Sequence, residues 1–194
     1  MRTMLGAATL AATLTLVGPA AAYGQVSFTP LAGGYIPASS FADLEGGART
    51  AEVEREAALA LGLNVGLGSL RATVRYVTDA KLSERGVDDT SRIESGTLLA
   101  AAADLVLRPL PRVLGVQPYL LGGAGLKRMG YSYADDGLDN PFPDDEREWA
   151  LHLGLGVDLM AGGLGIVVEV DDFVGLGDAG AHDAFVMAGL RLSL

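Results

Sequence analysis

Along much of the chain, apolar residues alternate with small or polar ones at a period of two. In Glu148–Met160, Trp149, Leu151, Leu153, Leu155, Val157 and Leu159 fall on one face, and Ala150, His152, Gly154, Gly156 and Asp158 on the other. Side chains of a strand point alternately to opposite faces, whereas a helix repeats every 3.6 residues, so this segment reads as a strand. Ala57–Gly68 does the same, with Leu59, Leu61, Leu63, Val65 and Leu67 opposite Ala58, Ala60, Gly62, Asn64, Gly66 and Gly68. Leu70–Asp79 sets Leu70, Ala72, Val74 and Tyr76 against Arg71, Thr73, Arg75 and Asp79. Leu164–Asp171 and Ala184–Leu194 repeat the pattern, and Gln25–Ile36 and the glycine-laced Val116–Lys127 complete it less regularly. Ser95–Arg108 also alternates, with Leu98, Ala100, Ala102, Asp104, Val106 and Arg108 on one face. Its alanine run has high helix propensity, so a short helix competes there.

These eight segments are joined by connections of alternating length. Pro37–Glu56, Ala80–Glu94, Arg128–Arg147 and Asp172–Asp183 are long and polar, while Gly68-Ser69, Pro109–Gly115 and Ala161–Gly163 are short. Long loops at one end and tight turns at the other are the signature of an up-and-down membrane barrel. The expected fold is therefore all-β, an eight-stranded antiparallel up-and-down transmembrane β-barrel.

Period alone does not say which face is inside; residue size does. One face is nearly all Leu, Val, Ile, Trp and Tyr, and the other is Gly and Ala with a few long charged groups. A narrow eight-stranded interior cannot hold eight rows of leucine. A continuous leucine-rich exterior would aggregate in water but is at home in lipid. The inward charged set is then Arg71, Arg75, Asp104, Arg108, Lys127, Asp158, Glu169, Asp171 and Arg191. Buried charges must pair or be hydrated, so Glu169 is expected to meet one or more of Arg71, Arg75 and Arg191. The cluster is expected to plug and register the barrel; a gate or proton path is the alternative.

The N-terminus adds a destination. Arg2 precedes an apolar core, Leu5–Gly18, and Pro19-Ala20-Ala21-Ala22 supplies small residues for cleavage after Ala22. This is the pattern of a secretory signal peptide over residues 1–22, leaving residues 23–194 as the barrel domain. Losing Arg2 with the leader takes the net charge from −10 to −11, which disfavours nucleic-acid binding. With no cysteine, disulfides and thiolate sites are excluded.

The pattern resembles the small bacterial outer-membrane β-barrels, the group of OmpA-type transmembrane domains, OmpX-like and opacity-like proteins. The residues that carry the resemblance are the signal peptide, Gln117-Pro118-Tyr119-Leu120-Leu121-Gly122-Gly123-Ala124-Gly125, Gly154-Leu155-Gly156-Val157-Asp158 and Gly189-Leu190-Arg191-Leu192-Ser193-Leu194. The resemblance implies residence in the outer membrane, contact with its lipid and lipopolysaccharide, and a C-terminal signal at Gly189, Leu192 and Leu194 for the barrel-assembly machinery. Family members usually end in phenylalanine, and this chain ends in Leu194. A monomer is expected.

Candidate chemistry is thin. Of two histidines, His152 faces the interior and His182 sits beside Asp183 in the last loop. Ser83, Ser91 and Ser132 in the loops share no fixed spacing with His182, so a lipid A-modifying enzyme is the least favoured reading. The acidic third loop (Asp135, Asp136, Asp139, Asp144, Asp145 and Glu146) does not follow an EF-hand order, so no metal is expected, nor any cofactor. Tyr131, Tyr133 and Phe142 could anchor the interface, as could Trp149 and Tyr76. The expected role is non-enzymatic, structural or surface-interacting through acidic external loops; a narrow pore is the runner-up.

Overall fold

A computed structural model describes residues 25–37, 49–53, 57–86, 92–132, 145–177 and 181–194. Within them the chain forms β1 (Val26–Pro37), β2 (Arg49–Val53), β3 (Ala58–Leu67), β4 (Leu70–Gly86), β5 (Arg92–Leu107), β6 (Val116–Ser132), β7 (Asp145–Ala161), β8 (Leu164–Gly175) and β9 (His182–Ser193). No helix occurs among the described residues. Taken in the order β1, β3, β4, β5, β6, β7, β8, β9, each strand pairs antiparallel with the next, and β9 pairs with β1, so the sheet closes on itself. β2 is not a ninth stave. It lies on the outer part of β4 (Arg49 opposite Gly86, Val53 opposite Leu82) and extends the line of β3 beyond the closed barrel.

The register fixes the shape. A path perpendicular to the strands leaves β1 at Val26 and runs through Leu67, Leu70, Leu105, Gly122, Leu153, Asp172 and Ala184. It returns to β1 at Ile36, ten residues further along. With a rise of about 3.3 Å per residue and strands about 4.8 Å apart, a stagger of ten over eight strands tilts them by roughly 40° to the barrel axis. Such a barrel is just wide enough for its interior to be filled by side chains.

Closed by tight turns, one end of the barrel is compact. Leu67 and Leu70 face across Gly68-Ser69, with Gly68 at φ 62°, and Ala161 and Leu164 face across Gly162-Gly163, with Gly162 at φ 68°. A positive φ at the first of two central residues is the type II′ geometry, whose twist matches the flanking strands. The third connection ends in Val113-Leu114-Gly115-Val116, where both central residues have positive φ (50° and 84°), a type I′ turn. Met160 N donates to Gly115 O, and Gln117 Nε2 donates to Leu110 O at 2.6 Å, so this turn is docked on β7 and tied to β6.

Three expectations from sequence are corrected here. Strands run further into the long connections than alternation indicated, since β4 reaches Gly86, β6 reaches Ser132 and β7 starts at Asp145. Arg49–Val53, read as loop, is a strand. Beyond the apolar band neither face needs to be apolar, so hydrophobic period fades while backbone pairing continues. The helix alternative over Ser95–Arg108 is also set aside. Those residues belong to a strand bonded on both sides, to β4 and β6, and the ladders override alanine's intrinsic preference. Pro30, in the middle of β1, interrupts only one side: β1 stays in register with β3 there, while its ladder to β9 skips Thr29 and Pro30.

The two faces have opposite character. Outside, leucines, valines and aromatics stand in rows, with Leu59 62%, Trp149 65%, Leu153 52% and Leu155 56% exposed. Inside, Arg71, Arg75, Asp104, Lys127, His152, Asp158, Glu169, Asp171 and Asp183 are buried.

Candidate functional site

The interior is organised in levels along the axis. Its centre is an ion-pair network. Arg71 and Arg75 leave β4 on the same side, two positions either side of Thr73, and reach across to Glu169 and Asp171 on β8. In the closed order, β4 and β8 are diametrically opposite. Arg71 Nη1 and Arg75 Nη2 each lie 2.5 Å from a different oxygen of Glu169, and Arg75 Nη2 lies 2.7 Å from Asp171 Oδ2. Tyr119 on β6 donates its hydroxyl to Glu169 Oε2 at 2.5 Å, and Arg75 Nη1 donates to Asn64 Oδ1 on β3 at 2.9 Å.

Beside this core lies a second group. Asp104 on β5 accepts from Thr73 Oγ1 and faces His152 Nδ1 at 2.7 Å. His152 Nε2 faces Asp171 Oδ1 at 3.4 Å, and its ring stacks on Phe173 with centroids 4.1 Å apart. Strands β3 to β8 are thus tied together by side chains alone. Two guanidinium groups face three carboxylates, and the imidazole between two of those carboxylates is the remaining group that can carry balancing charge.

Above the network, toward the loops, comes an apolar level. Tyr35, Phe173, Phe185, Met187, Val77 and Leu98 are all fully buried. Phe185 packs at 5.3 Å from Tyr35 and edge-on to Phe173 at 5.9 Å. A smaller polar level follows: Lys127 Nζ lies 2.7 Å from Asp183 Oδ2 and donates to Ala181 O, while Tyr35 donates to Asp183 Oδ1 at 2.6 Å. At the turn end, Arg191 Nη1 lies 2.6 Å from Asp158 Oδ2, with Arg108 further off at 3.9 Å.

The inward charged residues read from the sequence therefore do not form one cluster. Arg71, Arg75, Asp104, Glu169 and Asp171 come together at the centre; Arg191, Arg108 and Asp158 form a separate group at the turn end; and Lys127 belongs to the loop end. Glu169 meets Arg71 and Arg75 but not Arg191. An interior of only small residues and charges is also corrected, because the aromatic level was not expected. Phe185 and Met187 stood at inward parity in β9, and Tyr119 shares the parity of Gly123, Gly125 and Lys127 in β6, so the signal was present. Asp183, read as loop, points inward from β9, and His182 opens that strand with Nδ1 at 2.7 Å from Asp172 Oδ2.

Tyr119 needs a glycine opposite. Gly156 on β7 lies under its ring, and a Cβ there would fall within 2.9 Å of Tyr119 Cε2, with Cζ and the hydroxyl oxygen nearer still. The outward C-terminal positions are Leu192 and Leu194, 48% and 80% exposed, while Gly189 approaches Pro30 O of β1.

Several positions lie outside the described residues: the leader 1–22, Ser91, Tyr133, Asp135, Asp136, Asp139, Phe142 and Asp144. Ser83, Tyr131, Ser132, Asp145 and Glu146 fall on strands described by backbone only. No group of His and acidic side chains spaced to hold a metal occurs among the described residues.

No family model matches the chain. Nor does any curated protein. Solved structures do match in shape. Neisserial surface protein A superposes with a TM-score of 0.56 over 87% of this chain and 97% of its own, at 14% identity. The N-terminal β-barrel domain of Pseudomonas aeruginosa OprF matches with a TM-score of 0.49 over 89% and 98%, at 12% identity. The attachment invasion locus protein Ail of Yersinia pestis, solved with sucrose octasulfate, matches with a TM-score of 0.49 over 89% and 99%, at 14% identity.

Proposed function

We propose, from a fold shared with the small eight-stranded outer-membrane barrels, that this chain is a non-enzymatic outer-membrane barrel whose lumen is plugged and whose contacts with the outside are made by its acidic loops. The observation that carries this reading is the inversion of faces: an apolar exterior around a charged interior. A water-soluble protein rarely exposes so large a contiguous apolar surface. The six outward residues from Trp149 to Leu159 cover roughly 33 Å of strand, which at a tilt of about 40° is a band some 25 Å tall, the height of the lipid-facing belt of such barrels. Closure pairs every barrel strand on both sides, as a chain without water partners requires.

Two levels support the plugged lumen. The network braces β4 against β8, and the aromatic level fills the section above it. Between the network and the turn-end mouth is a void of about 20 Å³, lined by Ser27, Asn64, Arg71, Tyr119 and Asp158, which is room for about one water. By this reading the chain is exported after loss of residues 1–22, seats as a monomer among outer-membrane lipid and lipopolysaccharide, and is handed to the barrel-assembly machinery through Gly189, Leu192 and Leu194.

The test is direct. The mature chain, refolded in detergent, is expected to migrate differently on a gel before and after boiling, and to leave a planar bilayer at background conductance. A boiled and unboiled sample that comigrate, with a helical circular dichroism spectrum, would overturn the barrel. A steady wild-type current, or a large open current in Glu169→Gln, would replace the plug with a gated pore.

A further inference from the structure

At the turn end the barrel opens into a cavity of about 310 Å³, lined by Gln25, Arg108, Arg112, Asp158, Arg191 and Ser193 among others. This is the lower edge of the range for small-ligand pockets, about 300–1,000 Å³. Among the described residues, three guanidinium groups face one carboxylate there, in a chain whose net charge is −10. Asp158 Oδ2 is held by Arg191 at 2.6 Å with Arg108 at 3.9 Å, while Asp158 Oδ1 is buried without a hydrogen-bond partner.

The cations are crowded, although Arg191 donates to Asp158 Oδ2 and to Ser27 Oγ. Burial, and then the nearby charge of Arg191, hold the Arg108 guanidinium below its ordinary value; Asp158 and Tyr119 oppose this, and Arg112 adds a smaller repulsion. Nε of Arg191 is buried without a hydrogen-bond partner. The mouth is also preorganised. Arg108 and Arg112 sit on the connection that Gln117 ties to β6 and Gly115 docks on β7, so their backbones are placed before any ligand arrives.

We infer that this turn-end cavity is a binding site for a small phosphate-class oxyanion, held by Arg108, Arg112 and Arg191. Such an anion relieves the repulsion among the three cations. Arginine is suited to it, because its planar fork meets phosphate oxygens with two parallel hydrogen bonds. The anion can be free in solution or the headgroup of an anionic lipid in the adjoining leaflet. The site rests on the membrane reading for the compartment it faces and for the lipid source of the anion.

The experiment uses the folded full barrel in nanodiscs, with the arginine Nε–Hε signals followed by NMR. In discs of zwitterionic lipid, inorganic phosphate is titrated in; in a second arm, phosphatidylglycerol is added to the discs without phosphate. Saturable shifts of Arg108, Arg112 and Arg191 in the first arm, weakened about tenfold in Arg112→Gln, are expected for a soluble ligand. Shifts of the same three signals in the second arm alone support the site and assign it to lipid headgroups. Arg112 lies on an exposed turn, so its variant keeps the fold, which boiled and unboiled gel migration checks independently. No saturable shift in either arm, or equal affinity in Arg112→Gln and wild type, would overturn the proposal while leaving the barrel standing.

Discussion

Glu169 on β8 and Arg75 on β4 meet at 2.5 Å across the full width of the lumen. Neither can relax toward water, since both side chains are fully buried. Glu169 also carries Arg71 and the Tyr119 hydroxyl. Glu169→Ala thus leaves two guanidinium groups without their shared anion, and removing one partner of a buried pair costs about 3–5 kcal/mol. Urea titration of the detergent-folded barrel is expected to show that loss. A loss below about 1 kcal/mol would mean that the network is hydrated and contributes little.

Tyr119 and Gly156 form a matched pair. Gly156→Ala pushes a methyl into the Tyr119 ring and is expected to destabilise by about 1–3 kcal/mol, the usual cost of overpacking. In a Tyr119→Ala background the same substitution is expected to cost far less, because the ring it strikes is gone. A double-mutant cycle of unfolding free energies reads the coupling directly; additive effects would show that the clash is relieved elsewhere. Tyr119→Phe keeps the ring but loses the hydrogen bond to a charged carboxylate, an expected loss of about 1.5–3 kcal/mol.

The outward face should respond to charge by depth. Leu155 lies near the middle of the apolar band and Leu159 near its turn-end rim. Leu155→Arg is expected to cost about 2–4 kcal/mol of folding free energy in lipid vesicles, and Leu159→Arg about 0–1 kcal/mol. Equal costs at the two sites would contradict a lipid belt centred on β7.

Assembly in the cell and refolding in detergent should separate at the C-terminus. Leu194 extends one residue past β9, is 80% exposed, and buries little in the fold. Deleting it is expected to leave refolding in detergent intact while lowering the amount that reaches the outer membrane severalfold, measured by fractionation and immunoblot. An unchanged outer-membrane level would remove Leu194 from the assembly signal.

Much of this molecule is legible in one dimension. A strand puts neighbouring residues on opposite faces, so eight alternating segments and the size contrast between their faces determine the architecture and the direction of each face. Gly68-Ser69 and Ala161–Gly163 announce their turns because only certain residues adopt positive φ at low cost. Parity in sequence even assigns Arg71, Arg75, Glu169 and Asp171 to the interior. Which of these charges meet is a different question. Alternation fixes the side of the sheet but not the height, and height around a closed barrel depends on the stagger of ten residues accumulated over eight pairings. That stagger puts Glu169 level with Arg71 and Arg75 and drops Arg191 to Asp158 at the mouth. It also gathers Tyr35, Phe173 and Phe185 into one apolar level and brings Arg108, Arg112 and Arg191 round a single cavity. The chain's own pattern thus decides what faces outward and what faces inward, while only closure of the barrel decides which inward groups share a level, because partners on opposite walls are related by the whole circumference and not by any local spacing.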